Sequence, residues 1–188
     1  RRGFFACVRS RVADAAGCIH RYKWAIGTSE FGEQTMPYTL LPWNSTRAVA
    51  EDLGLHAGSQ YFVTVAAVND AGLARVVSSS AVVPDPYPPL AGRVVDGSSA
   101  SHDSAFTLDS ETSLSCAWTP FVDSISGIKA LTVALGSSPG ANDVVDFEAA
   151  SSVTATSHTF SSLTLAHGTT YHCTVHALDR AGNAVTAS

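Results

Sequence analysis

Seven histidines, four cysteines and sixteen acidic residues are where metal, redox or acid–base chemistry would have to start in this 188-residue chain. His172 and His176 lie in "YHCTVHAL" on one face of a β pattern. At about 3.3 Å per residue they stand roughly 13 Å apart, too far to share one ion. His158 and His167 are joined by no local spacing, so surface histidines are expected and no metal site. Asp85, Asp96 and Asp123 are the remaining oxygen donors for calcium, but the spaced ligand loop of an EF-hand is missing. Ser126 and Lys129 spell S-x-x-K without the helix or companion motifs that Ser–Lys chemistry needs. With no Gly-rich phosphate loop, nucleophile elbow or paired-carboxylate pattern, neither an active site nor a cofactor is expected.

Two other motifs concern covalent modification. Cys7, Cys18, Cys116 and Cys173 allow three disulfide pairings, among which sequence alone does not choose, and any bridge would point to an oxidising compartment. Asn44 opens the triplet Asn44-Ser45-Thr46, an acceptor for an N-glycan on a loop of a secreted protein.

The elements that hold these residues are written twice. "GSQYFVTVAAVNDAGLAR" (58–75) and "GTTYHCTVHALDRAGNAV" (168–185) align at an offset of 110, with Gly58 over Gly168, Tyr61 over Tyr171, Val65 over Val175 and Gly72 over Gly182. Upstream the offset is 109, placing Cys7 over Cys116, Asp14 over Asp123 and Gly27 over Gly136. A single inserted residue at a loop accounts for the change. Within the repeats Tyr61, Val63, Val65 and Ala67 share one face, as do Tyr171, Cys173, Val175 and Ala177. Period two predicts strands. The stretch "AVAEDLGL" (48–55) is the best helical candidate, yet its partner "HTFSSLTL" (158–165) favours a strand and turn.

Between the copies, "VPDPYPPLAG" (83–92) carries four prolines, which fix φ and withhold N–H donors. An extended, stiff connector is expected there, dividing the chain into 1–86 and 87–188 and holding the two parts end to end. The second part supplies seven strand patterns, from "GRVVDG" to Ala184 onward, whereas the first begins directly in "GFFACV", without a first strand. The chain thus reads as a window onto a longer array.

Composition narrows the function. Hydrophobic residues make up 45% of the chain and charged ones 14%, enough apolar material for a core in each half. A net charge of −5 without a basic cluster gives no attraction to nucleic acid or anionic lipid. No apolar run is long enough to insert in a membrane as a helix.

Leu163, Leu165, Gly168, Thr169, Tyr171, Val175, Ala177, Asp179 and Gly182 together resemble the signature of fibronectin type III domains, and Leu53, Leu55, Gly58, Tyr61, Val65, Ala67, Asn69 and Gly72 repeat it. The resemblance implies an all-β fold: two tandem seven-stranded antiparallel β-sandwiches of the fibronectin type III or immunoglobulin kind, the first truncated at its N-terminus. One departure concerns Cys116 and Cys173. Their placement, with Tyr171 two residues before Cys173, is similar to the immunoglobulin inter-sheet bridge, which implies a Cys116–Cys173 disulfide; two buried free thiols are the alternative. In the first copy Val63 stands where Cys173 would be, leaving Cys7 to pair with Cys18 or with a cysteine outside this sequence.

The expected function is a non-catalytic extracellular or cell-surface repeat serving as spacer, adhesion or filament-building element. Its partners would be neighbouring repeats or copies of itself, with an N-glycan at Asn44 and no nucleic acid. Richness in Ala, Ser, Val and Gly resembles the flagellar and surface glycoproteins of green algae. A ligand-binding receptor module, or an accessory spacer of a secreted carbohydrate-active enzyme, are the alternatives.

Overall fold

The computed structural model describes residues 4–7, 19–101 and 112–188, the first of these as backbone. The chain divides into two compact units, Arg1–Pro84 and Asp85–Ser188. All regular elements among the described residues are strands.

In the second unit the strands are β7 (Val94–Asp96), β8 (Ser113–Trp118), β9 (Ile128–Gly136), β10 (Val145–Ala149), β11 (Ser157–Ser161), β12 (His172–Asp179) and β13 (Ala184–Ala187). They form two antiparallel sheets, ordered β11-β8-β7 and β10-β9-β12-β13. Alternation along each strand decides what lies between the sheets. Leu114, Cys116 and Trp118 of β8 and Phe160 of β11 pack in one cluster with Leu131, Val133 and Leu135 of β9 and Cys173, Val175 and Ala177 of β12. These residues come from both sheets, so the unit is a sandwich with its core between them. Burying each large side chain there contributes about 1.5–3 kcal/mol.

The first unit repeats the plan with β1 (Phe4–Cys7), β2 (Ile19–Gly27), β3 (Met36–Leu41), β4 (Arg47–Ala50), β5 (Phe62–Asn69) and β6 (Ala74–Ser78). Strand β1 pairs with β4, and the larger sheet runs β3-β2-β5-β6. Its core holds Trp24, Ile26, Ala48, Tyr61, Val63 and Val65. The segment weighed as a helix, 48–55, is strand through Ala50 and irregular afterwards, in line with its repeat partner. Asp52 and Gly54 both have positive φ there, a conformation no α-helix contains.

Matching glycines shape the same loop in each unit. A Cβ at Gly27, the end of β2, would overlap the Gly32 backbone, and one at Gly136, the end of β9, would overlap the Ala141 carbonyl. The loop after each strand folds back so closely that only hydrogen fits. The last hairpins also correspond. Asn69 exchanges backbone hydrogen bonds with the Leu73–Gly72 side of its turn, and the Asp179 N–H donates to the Asn183 carbonyl at 2.9 Å. Gly72 (φ 82°) and Gly182 (φ 94°) take the left-handed position that closes a three-residue hairpin loop.

Candidate functional site

Cys116 sits mid-strand in β8 and Cys173 near the start of β12, on facing sheets, with their Cα atoms 6.2 Å apart, and they form a disulfide. Both are buried, as is Trp118, two residues on and on the same face. The Trp118 indole N–H donates to the Ala155 carbonyl at 2.7 Å, so its one polar atom is satisfied inside the core. The expected pairing of Cys7 with Cys18 falls on Cys18, outside the described residues.

Three carboxylates of the second unit converge at one place. Asp85, Asp123 and Asp179 each offer a carboxylate oxygen within 4.8 Å of the others. Three separate segments supply them: Asp85 opens the unit, Asp123 lies between β8 and β9, and Asp179 ends β12. Asp96, the other acidic residue weighed for calcium, is instead in β7, paired with Cys116. Oxygen donors of this kind are what a hard cation takes.

Most of this oxygen capacity is already used by backbone N–H groups. Asp123 Oδ1 accepts from the N–H groups of Ser126 (2.7 Å), Gly127 (2.6 Å) and Ile125 (3.2 Å). Asp85 accepts from the Tyr87 N–H on one oxygen and the Ser126 N–H on the other, both at 3.2 Å. Asp179 accepts from the Asn183 N–H and its side-chain amide, each at 2.8 Å. The Asn183 amide also donates to the Asp85 and Tyr87 carbonyls at 3.0 Å. The cluster therefore ties the entry of the unit to its β8–β9 and β12–β13 turns. Burial raises the Asp179 pKa, but hydrogen bonds from the Asn183 side chain and from the Asn183, Gly182 and Ala181 backbones outweigh that effect and hold the carboxyl below its ordinary range.

Other candidates stay apart. His172 and His176 lie four residues apart along β12, as expected from the pattern, and His176 stacks edge-on with Phe147. His158 pairs with Glu148, joining β11 of one sheet to β10 of the other. The Ser126 hydroxyl donates to Asp123, whereas Lys129 belongs to β9, so the S-x-x-K letters form no pair. Asn44 is exposed in the turn between β3 and β4, where the Ser45 N–H donates to the Pro42 carbonyl at 2.9 Å.

Sequence reasoning overlooked two features. The Tyr61 hydroxyl accepts from the His56 N–H at 2.9 Å, and the Tyr171 hydroxyl accepts from the Ala166 N–H at 2.8 Å. Both tyrosines reach back five residues, the tyrosine corner of immunoglobulin-like sandwiches. Its signal was present, because Tyr61 and Tyr171 align in the repeat. Asp179 entered the sequence reading only as a residue of the repeat signature, since its approach to Asp85 spans 94 positions of sequence.

The architecture fits tandem fibronectin type III or immunoglobulin-like domains. No family model matches the chain, and no curated protein matches it. Among solved structures it is similar to the crystal structure of the FN1–FN3 domains of chicken contactin (CNTN1), at 20% identity and a TM-score of 0.41. The match covers 88% of this chain and 55% of that one, so this chain spans about half the length of that structure.

Proposed function

We propose that this chain is a non-catalytic, extracellular repeat module, serving as a spacer, adhesive or filament-building element of a surface protein. The observation that carries the reading is the duplication itself: one sandwich plan is built twice, with corresponding tyrosine corners and closing turns. Duplicated modules extend a molecule's reach and contact area without requiring a reactive centre. In the acidic cluster Asp85 has a structural use, since its carboxylate joins the entry of the unit to the turn before β9 through the Ser126 N–H. A disulfide through the core favours an oxidising compartment, hence the outside of the cell. Neighbouring repeats or copies of the chain are the partners such a module meets.

The test is to pull the two-unit chain by its ends and, separately, to label intact producing cells with a membrane-impermeant reagent. Two distinct unfolding events that recover on relaxation are expected. In the second, the bridge withholds about 190 Å of extension until it is reduced, at roughly 3.4 Å for each of the 57 residues it spans. Surface labelling of the chain is expected as well. A chain that yields without resolvable events, or that stays unlabelled until the cells are permeabilised, overturns the reading.

A further inference from the structure

The turn between β3 and β4 carries an unusual pair of neighbours. Asn44 begins the acceptor triplet Asn44-Ser45-Thr46, and both Asn44 and Thr46 are exposed. Beside Asn44, Trp43 is 71% exposed, whereas Trp24 and Trp118 are 3% and 0% exposed. An indole left in water at a turn forgoes the burial that normally accounts for tryptophan in a fold. The turn is closed by its own backbone, Ser45 N–H to Pro42 carbonyl, so neither side chain is needed to hold it. Among the described residues the Asn44 amide makes no hydrogen bond.

We propose that Asn44 carries an N-linked glycan and that the first sugar of that glycan packs on Trp43. The inference rests on the extracellular reading above, since the glycan is added in the same oxidising pathway in which Cys116 and Cys173 are joined. In the transfer, Asn44 Nδ2 loses one proton and bonds to the anomeric carbon of the reducing-end sugar of a lipid-pyrophosphate-linked oligosaccharide. The bond from that carbon to the pyrophosphate oxygen breaks, and the lipid pyrophosphate leaves. The sugar's apolar C–H face then lies within one residue of the indole and removes its surface from water.

The experiment uses this chain secreted from a eukaryotic host behind a cleavable leader. Mass spectrometry of the non-reduced product is expected to show a glycan on the peptide containing Asn44, absent in the Asn44→Gln and Thr46→Ala variants. Trp43 is the one exposed tryptophan of three, so acrylamide quenching reports on it. Trimming to a single sugar is expected to leave the quenching slope low, and removing that sugar to raise it with a red shift of emission. Trp43→Phe is expected to abolish the rise. An unmodified Asn44 in secreted chain with the Cys116–Cys173 bridge intact overturns the glycan but leaves the extracellular reading standing. Free thiols at both cysteines in secreted chain overturn that reading instead. An attached glycan whose removal leaves the slope unchanged overturns the packing on Trp43.

Discussion

The Tyr171 hydroxyl accepts the Ala166 N–H at 2.8 Å, and 110 residues earlier Tyr61 and His56 make the same bond at 2.9 Å. The surroundings differ: the bond at Tyr61 is partly buried, whereas the bond at Tyr171 lies at the surface. A donor stranded away from water costs about 1–3 kcal/mol, but one at the surface turns to solvent. Tyr61→Phe is therefore expected to lower the stability of the first unit by about 1 kcal/mol, and Tyr171→Phe that of the second by less. Urea unfolding of the two variants checks the difference.

Removing the bridge by a Cys116→Ala, Cys173→Ala double substitution is expected to cost the second unit about 2–5 kcal/mol. The first unit serves as an internal reference, since its described strands carry Val63 at the position corresponding to Cys173. Two-phase denaturation in which only the second phase moves is the expected record.

Gly136→Ala places a methyl group against the Ala141 carbonyl, where backbone rather than a flexible side chain must yield. A loss of about 1–3 kcal/mol is expected, as for other overpacked sites. Gly140→Ala, four residues further along the chain, meets no neighbour but keeps a φ of 82°. Its cost is expected nearer 1 kcal/mol, by conformational strain alone. Thermal unfolding of both separates close approach from strain.

The second unit is expected to lose stability in acid before the first. Asp179 has a folded pKa below its ordinary value, because its hydrogen bonds prevail over burial. Asp143 is also lowered, by the Ser137 hydroxyl and N–H, as is Asp146, by the Phe147 N–H and the Asn142 amide. A carboxyl depressed by folding contributes stability that is present above the unfolded pKa, near about 3.9, and lost as pH falls through the lower folded value. In the first unit the position of Asp179 is held by Asn69, whose uncharged Oδ1 accepts from the Ala71 and Leu73 N–H groups. Urea midpoints measured between about pH 6 and pH 2 are expected to fall more for the second unit. Asp179→Asn narrows that gap while weakening the turn at neutral pH, where its amide would face the Asn183 amide.

Much of this was legible in the sequence because strands advertise themselves locally. Alternation in "YHCTVHAL" and "LTVALG" marks β12 and β9, and the glycine-bearing turns mark their ends. The repeat then supplies what a single copy leaves ambiguous: the strand pattern of 158–165 decides the helix-like letters of 48–55. What stayed hidden depends on contacts between distant segments. Nothing in the spacing of Asp85, Asp123 and Asp179 announces that their three segments meet, and each looks locally like an ordinary turn residue. The tyrosine hydroxyls were missed for another reason, since alternation accounts for the rings as core and is silent about the oxygen.

The two copies bury their tryptophans differently. Trp24 fills the first core from β2, while Trp118 fills the second from β8. Covalently joined neighbours of like topology are exposed, while folding, to strand exchange, in which a segment of one inserts into its sibling. A strand bearing the wrong indole would leave one interior overfilled and the other hollow. The uneven placement makes the two interiors differently shaped, so their strands are not interchangeable without repacking.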